Sequence, residues 1–152
     1  MHQAEAMKII LTGATGMVGK GVLLECLDDA RVSEVRVLAR RSAGITHPKL
    51  KEVLTPDLLD ITPVADQLAG CDGCFFCLGT TSLGKSKEDY RRVTRDLTLH
   101  IAKTLLPRNP AMTFCYVSGA GTSTAEDSKL DWANVKGGVE NALLGMGFKA
   151  AY

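Results

Sequence analysis

Three absences limit what this sequence can encode. Its 18 Lys and Arg residues nearly balance 17 Asp and Glu residues, and no basic run stands out, so we expect no nucleic-acid partner and no anionic membrane surface. No apolar run approaches the roughly 20 residues of a membrane span, and the opening "MHQAEAMKII" lacks the long apolar stretch of a signal peptide. Repeats, linkers and low-complexity tracts are also missing. The sequence therefore indicates one domain over residues 7–152, after an unstructured lead at 1–6.

The cysteines raise a separate question. Their number, five, is odd, and without a secretory signal we expect reduced thiols in a cytoplasmic protein. Cys71, Cys74 and Cys77 form C-x-x-C-x-x-C, the spacing that opens the iron–sulfur ligand run of bacterial ferredoxins, but that run's fourth Cys followed by Pro is missing. Cys74 and Cys77 fall on a predicted strand, where residues three apart point to opposite faces. We therefore expect core cysteines and no metal site.

Apolar strand-like runs alternate with stretches of helical spacing. Strands are predicted at 8–12, 34–39, 51–54, 73–78 and 112–117, and helices at 17–27, 61–69, 87–106 and 132–144. Such alternation indicates a parallel sheet covered on both faces, and right-handed crossovers then favour a Rossmann-like doubly wound α/β domain with sheet order 3-2-1-4-5. The ending "GFKAAY" (147–152) predicts the start of a sixth strand, which leaves either a minimal domain or a C-terminal part that is short or missing.

The first predicted strand runs directly into "TGATGMVGKG". Gly13, Gly16 and Gly19 form G-x-x-G-x-x-G immediately before a helix, an order typical of dinucleotide-binding proteins. Gly13 would permit the tight turn, Gly16 would let the backbone approach a pyrophosphate, and Gly19 would let the helix lie close to the strand. The helix N-terminus would then direct its free N–H groups at the anion. A purely structural glycine turn is the alternative.

A P-loop for ATP is a further alternative, because Gly19 and Lys20 resemble its Gly-Lys pair. However, five residues rather than four separate Gly13 from Gly19, and Gly21 stands where the magnesium-binding Ser or Thr is needed. At the end of the second strand, where the ribose 2′ position would lie, the chain has Arg40 and Arg41 rather than an acidic residue. Two guanidinium groups suit a 2′-phosphate, so NADP(H) is favoured over NAD(H), unless the arginines are only solvated loop charges.

Four motifs occur together in order: "TGATGMVG", "FFCLGTTSLGKSKEDYRRV", "YVSGAG" and "WANVKGGVENALL". They resemble the atypical short-chain dehydrogenase/reductases, in particular bacterial NAD(P)-binding proteins often described as nucleoside-diphosphate-sugar epimerases and the related NmrA-like group. The resemblance spans nearly the whole chain after residue 7. It implies a Rossmann fold and a nicotinamide cofactor, and it is nearly silent on the substrate.

The resemblance also implies a set of cofactor contacts. The pyrophosphate would lie against Gly13, Thr15, Gly16, Met17 and Val18, and the 2′-phosphate against Arg40 and Arg41; Asp57 and Leu58 would border the adenine, and Leu78, Gly79 and Thr80 would pass under the nicotinamide ribose. Ser118 would stand near the reactive ring, and Lys136 would hold the ribose hydroxyls.

The chain departs from the family pattern at the catalytic tyrosine. Family enzymes use Tyr-x-x-x-Lys, in which the lysine lowers the pKa of the tyrosine so that it can pass a proton to the substrate oxygen. Here the corresponding residues are Trp132 and Lys136, and an indole N–H donates a hydrogen bond but does not titrate usefully. Ser118 is followed by glycine, so it matches the family's catalytic Ser or Thr only approximately. Tyr90 and Tyr116 are substitute acids that the sequence does not place at the nicotinamide.

Two functions of different classes remain open. The first is an NADP(H)-dependent oxidoreductase or epimerase acting on a small carbonyl or sugar substrate, with Ser118, Trp132 and Lys136 at its catalytic centre and a solvent proton in place of the tyrosine's. The second is a binding protein that holds NADP(H) and reports redox state without turnover. The long helix at 87–106 can form a dimer seam in this superfamily, so a monomer and a homodimer are both open. His100 on that helix is expected to be a helix-surface or partly packed residue rather than a catalytic one.

Overall fold

The computed structural model describes residues 6–78, 86–117 and 131–152. One parallel sheet has the strand order β3-β2-β1-β4-β5-β6, with β1 Met7–Thr12, β2 Val32–Ala39, β3 Leu50–Leu54, β4 Gly73–Phe76, β5 Thr113–Tyr116 and β6 Ala150–Ala151. The order reverses at β1, which pairs with β2 on one side and β4 on the other. This confirms the predicted doubly wound sheet, including the start of a sixth strand. Open α/β sheets bind ligands at such a reversal, outside the carboxyl ends of the strands.

Helices cover both faces of the sheet. Helix α1 (Met17–Asp28) packs on one face, and a 3₁₀ helix (Thr62–Leu68), α3 (Leu97–Leu105) and α4 (Asp131–Leu144) pack on the other. The strand residues alternate accordingly, because Ile10 belongs to the second of these cores whereas Ile9 and Leu11 belong to the core under α1. Because side chains on a strand alternate with a period of two, apolar residues along one strand are divided between the two cores.

Two predicted helices differ from expectation in their detail. The segment at 61–69 forms a 3₁₀ helix, in which Pro63 lies in the first turn and supplies no N–H. The long helix predicted at 87–106 begins as α2 (Lys87–Arg91), widens into a π turn (Arg92–Asp96) and continues as α3, and a 3₁₀ turn containing Pro107 follows. At its start the Asp89 N–H donates to Ser86 Oγ at 3.1 Å, half of the capping box that the sequence predicted.

Cys74 lies on β4 and Cys77 directly follows that strand, and both pack as apolar residues. Cys74 is buried in the core under α3 and α4, while Cys77 packs against the core under α1, so the two thiols point to opposite faces as predicted. Burial raises the pKa of both thiols, which therefore stay neutral near pH 7. Within residues 6–78, 86–117 and 131–152, no three His, Cys, Asp or Glu side chains are arranged to hold a metal ion. In the same part of the chain, no helix is long and apolar enough to cross a membrane.

Two polar contacts tie the segment before β4 to its surroundings. The Arg36 guanidinium on β2 donates to the carbonyl oxygens of Gln67 and Ala69, each at 2.8 Å. The Ile61 N–H donates to His100 Nε2 on α3 at 3.0 Å. His100 is partly buried and accepts a backbone hydrogen bond within the fold, in agreement with the helix-surface or partly packed residue that the sequence predicted.

Candidate functional site

The glycine loop after β1 is shaped by two close backbone approaches. Gly13 has a φ of 75°, in the left-handed region, and a Cβ placed there would lie 2.6 Å from the carbonyl carbon of Cys77. A Cβ at Gly19 would lie 1.8 Å from the carbonyl oxygen of Gly13, so α1 packs directly on the loop. Gly16 differs, since its nearest neighbour would be 3.4 Å away. Packing within the protein therefore demands glycine at 13 and 19, whereas a ligand approaching the backbone would account for Gly16.

The loop delivers the N-terminus of α1 to the carboxyl end of the sheet. Gly16 is the N-cap residue, and its N–H donates to the carbonyl of Gly13 at 3.1 Å. Glycine has no capping side chain, and the first turn of α1 contains no acidic residue. The first-turn N–H groups and the positive end of the helix dipole thus remain available to an anion. This arrangement fits the pyrophosphate of a dinucleotide.

Thr12 links the glycine loop to the chain that follows β4. Its side chain is fully buried, its carbonyl oxygen accepts the N–H of Cys77 at 3.2 Å, and its Oγ1 accepts the N–H of Leu78 at 3.3 Å. The two loops that flank the reversal point are therefore held to each other through one threonine. The role of Thr12 was not predicted from the sequence, because nothing in its spacing distinguishes it from any other strand-ending threonine.

A cavity of about 460 Å³ lies at the carboxyl ends of β1 and β2. It brings together predicted residues from four separate segments, which are Gly13, Thr15, Arg40, Arg41, Leu58 and Leu78. Both arginines are exposed, whereas Leu58 is buried and also belongs to the main core. The cavity therefore has a glycine-lined wall, a cationic rim and an apolar floor, a combination that can accept part of a nucleotide.

The loop that carries the arginines is held by a hydrogen-bonded serine. Ser42 Oγ donates to Glu52 Oε1 at 2.8 Å and accepts the N–H of Gly44 at 3.1 Å. Asp57 has a comparable local role, since its Oδ1 accepts the N–H of Leu59 at 2.9 Å and shapes the turn that brings Leu58 to the cavity. Asp57 itself does not line the cavity. Its predicted position beside the adenine remains a prediction.

Other predicted residues lie outside this cavity. Gly16 and Gly19 do not line it, and Met17 and Val18 are exposed and border a larger apolar groove of about 730 Å³ between α1 and the sheet. The predicted roles of Gly79, Thr80 and Ser118 fall on residues outside the described part of the chain. Trp132 belongs to α4, but its side chain also lies outside the described part.

Lys136 occupies the opposite side of the reversal point, on α4. Its Nζ lies 5.8 Å from the centroid of the Tyr116 ring, at the carboxyl end of β5. Burial lowers the pKa of Lys136, and the carboxylate of Glu140 one turn later opposes that shift. Burial raises the pKa of Tyr116 and also that of Tyr90. Neither hydroxyl is thus tuned to release a proton at neutral pH.

Comparison with known proteins agrees with this geometry. A family model described as NAD(P)H-binding matches residues 13–143. The FMP52 protein of the fungus Chaetomium globosum, whose name includes the word mitochondrial, is 27% identical over 93% of this chain and 61% of its own length. The chain thus spans about 61% of this curated relative.

Solved structures share the fold at lower identity. The Bordetella bronchiseptica enzyme WbmG, solved in complex with NAD, has a TM-score of 0.75 at 11% identity, with 98% of this chain and 52% of that chain covered. A short chain dehydrogenase from Burkholderia cenocepacia in complex with NADP has a TM-score of 0.70 at 18% identity, with 95% and 65% covered. One neighbour thus holds NAD and the other NADP, so the comparisons support a nicotinamide cofactor without choosing between the two.

Proposed function

We propose that this chain, which belongs to the NAD(P)H-binding family, binds NADP(H) for an oxidoreductase or epimerase reaction on a small carbonyl or sugar substrate. The resemblance to the atypical short-chain dehydrogenase/reductases fits that family and the fold shared with the solved structures. The observation that carries the preference for NADP(H) is the cavity in which Arg40 and Arg41 meet the glycine loop. Guanidinium groups bind phosphate oxygens through charge-assisted, often bidentate hydrogen bonds, whereas an NAD site typically presents a carboxylate to the ribose.

The rest of the dinucleotide would follow the sheet reversal. Its pyrophosphate would lie against the first turn of α1, where Gly16 leaves room beside the backbone. Its nicotinamide half would extend past Leu78 towards α4, where Lys136 would hold the ribose hydroxyls. The adenine half would lie in the cavity, with Leu58 against the base.

When bound, the cofactor would supply or accept the hydride at the substrate carbon. The chain's own residues would orient the substrate oxygen, with Ser118 and the indole N–H of Trp132 as hydrogen-bond donors. Neither group titrates near neutral pH, so the proton that accompanies hydride transfer would come from solvent. Because a positioned general acid contributes roughly 10²–10⁴ in rate, we expect slow turnover.

A second candidate function is favoured by one observation, the tryptophan in place of the catalytic tyrosine. A protein that binds NADP(H) and reports redox state to a partner needs the cofactor site but no proton donor. Both candidates share the same cofactor site, and a monomer and a homodimer are compatible with either.

We place the protein in a reducing compartment, in our proposal the cytoplasm, because all five cysteines are free thiols.

The cofactor proposal is tested by titrating the 152-residue chain with NADPH and with NADH and following nicotinamide fluorescence. We expect tighter binding of NADPH. Replacing either arginine, as Arg40→Ala or Arg41→Ala, should weaken NADPH about 10- to 100-fold, since a charge-assisted hydrogen bond contributes about 1.5–3 kcal/mol. Binding of NADH should change by less than about threefold, because its ribose carries no phosphate for the arginines to bind.

Arg31→Ala is a matched control for this experiment. Arg31 is an exposed arginine that precedes β2, and the eight residues of that strand separate it from Arg40 by about 30 Å. Arg31→Ala removes one positive charge, as Arg40→Ala and Arg41→Ala each do, and it should leave the affinities for NADPH and NADH unchanged. Equal loss of NADPH affinity in all three variants would show that the effect comes from net charge and not from contacts of Arg40 or Arg41. Tighter binding of NADH than of NADPH by the unaltered chain would contradict the proposed preference.

A further inference from the structure

The ammonium group of Lys136 lies over an aromatic ring. Its Nζ is 5.8 Å from the centroid of the Tyr116 ring, within the roughly 6 Å over which a cation is attracted to a ring face. Lys136 is half-buried on α4, and Tyr116 is 8% exposed at the end of β5. The contact therefore joins the helix that carries the predicted cofactor lysine to the core of the sheet.

The Tyr116 ring is packed against other aromatic rings of the sheet. It packs against Phe76 with ring centroids 5.9 Å apart, and Phe76 in turn stacks on Phe114 at 5.9 Å. The backbone is also fixed on both sides, because the Tyr116 N–H donates to the Tyr152 carbonyl at 2.8 Å and the Val117 N–H donates to the Phe76 carbonyl at 3.0 Å. The ring position is thus set by the sheet.

The contact with the ring stabilises the charged form of Lys136. Burial disfavours its charged form, and the acidic side chain that acts on it is Glu140, one turn along α4. The face of an aromatic ring carries partial negative charge and stabilises a partly desolvated ammonium. The phenolic hydroxyl is not needed for this effect, because the attraction comes from the ring face.

We propose that Tyr116 is a positioning residue, whose ring face holds the ammonium of Lys136 in the place from which it binds the cofactor's ribose. The proposal rests on the proposed function, since it assumes that Lys136 contacts the dinucleotide. In the family pattern, tyrosine and lysine share one face of one helix; here an aromatic partner for the lysine comes from a neighbouring strand. Tyr116 acts through Lys136 and does not itself donate a proton.

A double-mutant cycle on the full chain tests this role. The probe is NADPH, and the variants are Tyr116→Phe, which keeps the ring, and Tyr116→Leu, which keeps apolar bulk without a ring, each alone and combined with Lys136→Met. We expect Tyr116→Phe to bind NADPH within about twofold of the unaltered chain and Tyr116→Leu to bind about three- to tenfold more weakly. In the Lys136→Met background, Tyr116→Leu should cause no further loss, because no cation remains to be positioned.

A merely structural role for Tyr116 predicts a different result. In that case Tyr116→Leu would weaken NADPH by the same factor with Lys136 and with Met at that position, and this outcome would overturn the proposal. Equal affinities of Tyr116→Phe and Tyr116→Leu would also overturn it. If the unaltered chain bound neither NADPH nor NADH, the proposed function would fail and the positioning role with it. Either of the two outcomes above, found while the unaltered chain still binds NADPH, would overturn the positioning role alone.

A second measurement does not depend on the cofactor. The ring current of Tyr116 should shift the Hε resonances of Lys136 upfield in the NMR spectrum of the unaltered chain and of Tyr116→Phe, and the shift should vanish in Tyr116→Leu. If Tyr116→Leu does not fold, Tyr116→Met replaces it, since an unbranched side chain fills irregular core space better. Lys136 Hε resonances at unshifted positions in the unaltered chain would show that the ammonium does not reside over the ring and would overturn the proposal.

Discussion

A methyl group added at Gly19 would meet a backbone oxygen, whereas one added two residues later would meet nothing. The Gly19 Cβ would lie 1.8 Å from the Gly13 oxygen, and no heavy atom lies within 4 Å of a Cβ at Gly21. Gly13 adds a conformational demand to a steric one, because its φ is 75°. Backbone atoms, unlike the ends of flexible side chains, cannot give way cheaply. The three glycines are therefore predicted to tolerate substitution by alanine to different degrees.

We expect Gly13→Ala and Gly19→Ala each to lower the free energy of unfolding by at least about 2 kcal/mol, from strained backbone and a displaced helix. Gly21→Ala is the matched control within the same helix and should raise it by about 0.5–1 kcal/mol, since alanine is the better helix former. Urea unfolding followed by circular dichroism measures all three. A Gly19→Ala variant as stable as the unaltered chain would show that α1 does not pack on the loop as described.

Single residues also mark the limit of sequence reasoning about the site. The loop glycines and Arg40 with Arg41 were predicted from spacing alone, because local motifs encode them. Thr12 was not, since its role depends on Leu78, which lies 66 positions away. Ser42 and its partner Glu52 were missed for the same reason, as their contact joins a loop to the neighbouring strand.

At the scale of elements, one buried carboxylate connects strands β2 and β3 to the 3₁₀ helix. Glu34 is 7% exposed and pairs with Arg36 at 3.1 Å and with Lys51 at 2.5 Å. Arg36 extends the network by donating to the carbonyls of Gln67 and Ala69. Three elements thus depend on a single negative charge.

Glu34→Gln should destabilise the fold by about 3 kcal/mol, because it leaves the partly buried Arg36 guanidinium without its counter-charge. The loss should depend on pH. Burial alone would raise the pKa of Glu34, but hydrogen bonds from Lys51 and Arg36 outweigh burial and lower it. A lowered pKa means that the stabilisation is present above the ordinary value of 4.5 and is lost as the pH falls through the folded value.

Urea unfolding of both proteins at pH 7 and at several values below 4.5 checks this prediction. The difference between the unaltered chain and Glu34→Gln should shrink as the pH falls. Glu25→Gln, at an exposed position on α1, is the control and should change stability by less than about 0.5 kcal/mol. A constant difference across the pH range would mean that the charge of Glu34 does not contribute to stability.

At the scale of the whole molecule, the candidate site exists only because the sheet reverses at β1. The cationic cavity follows β1 and β2, while Lys136 stands beyond β5 on α4. An elongated ligand is needed to contact both, and a dinucleotide has the required two halves. Turnover of such a ligand therefore depends on residues from both sides of the sheet reversal.

Turnover separates the two candidate functions. NADPH oxidation followed at 340 nm against a panel of small aldehydes, ketones and aldoses should be slow, and Lys136→Ala should abolish it on any substrate found. Trp132→Tyr should raise the rate, by up to about 10²–10⁴-fold if the new hydroxyl becomes the general acid. Lys103→Ala, an exposed lysine on α3, is the control and should retain the rate. NADPH binding without turnover in both the unaltered chain and Trp132→Tyr would favour the binding protein.

Without tertiary information, the sequence specifies the parallel sheet, its strand order, helices on both faces and the glycine loop. These features follow from strand–helix alternation, from the right-handed crossover rule and from one short motif, all of which a linear pattern contains. Folding is what brings Lys136 to Tyr116, joins two loops through Thr12 and connects Glu34 to Lys51 and Arg36 to the 3₁₀ helix. Those contacts link residues distant along the chain, and their partners depend on how the elements pack, which no local pattern specifies.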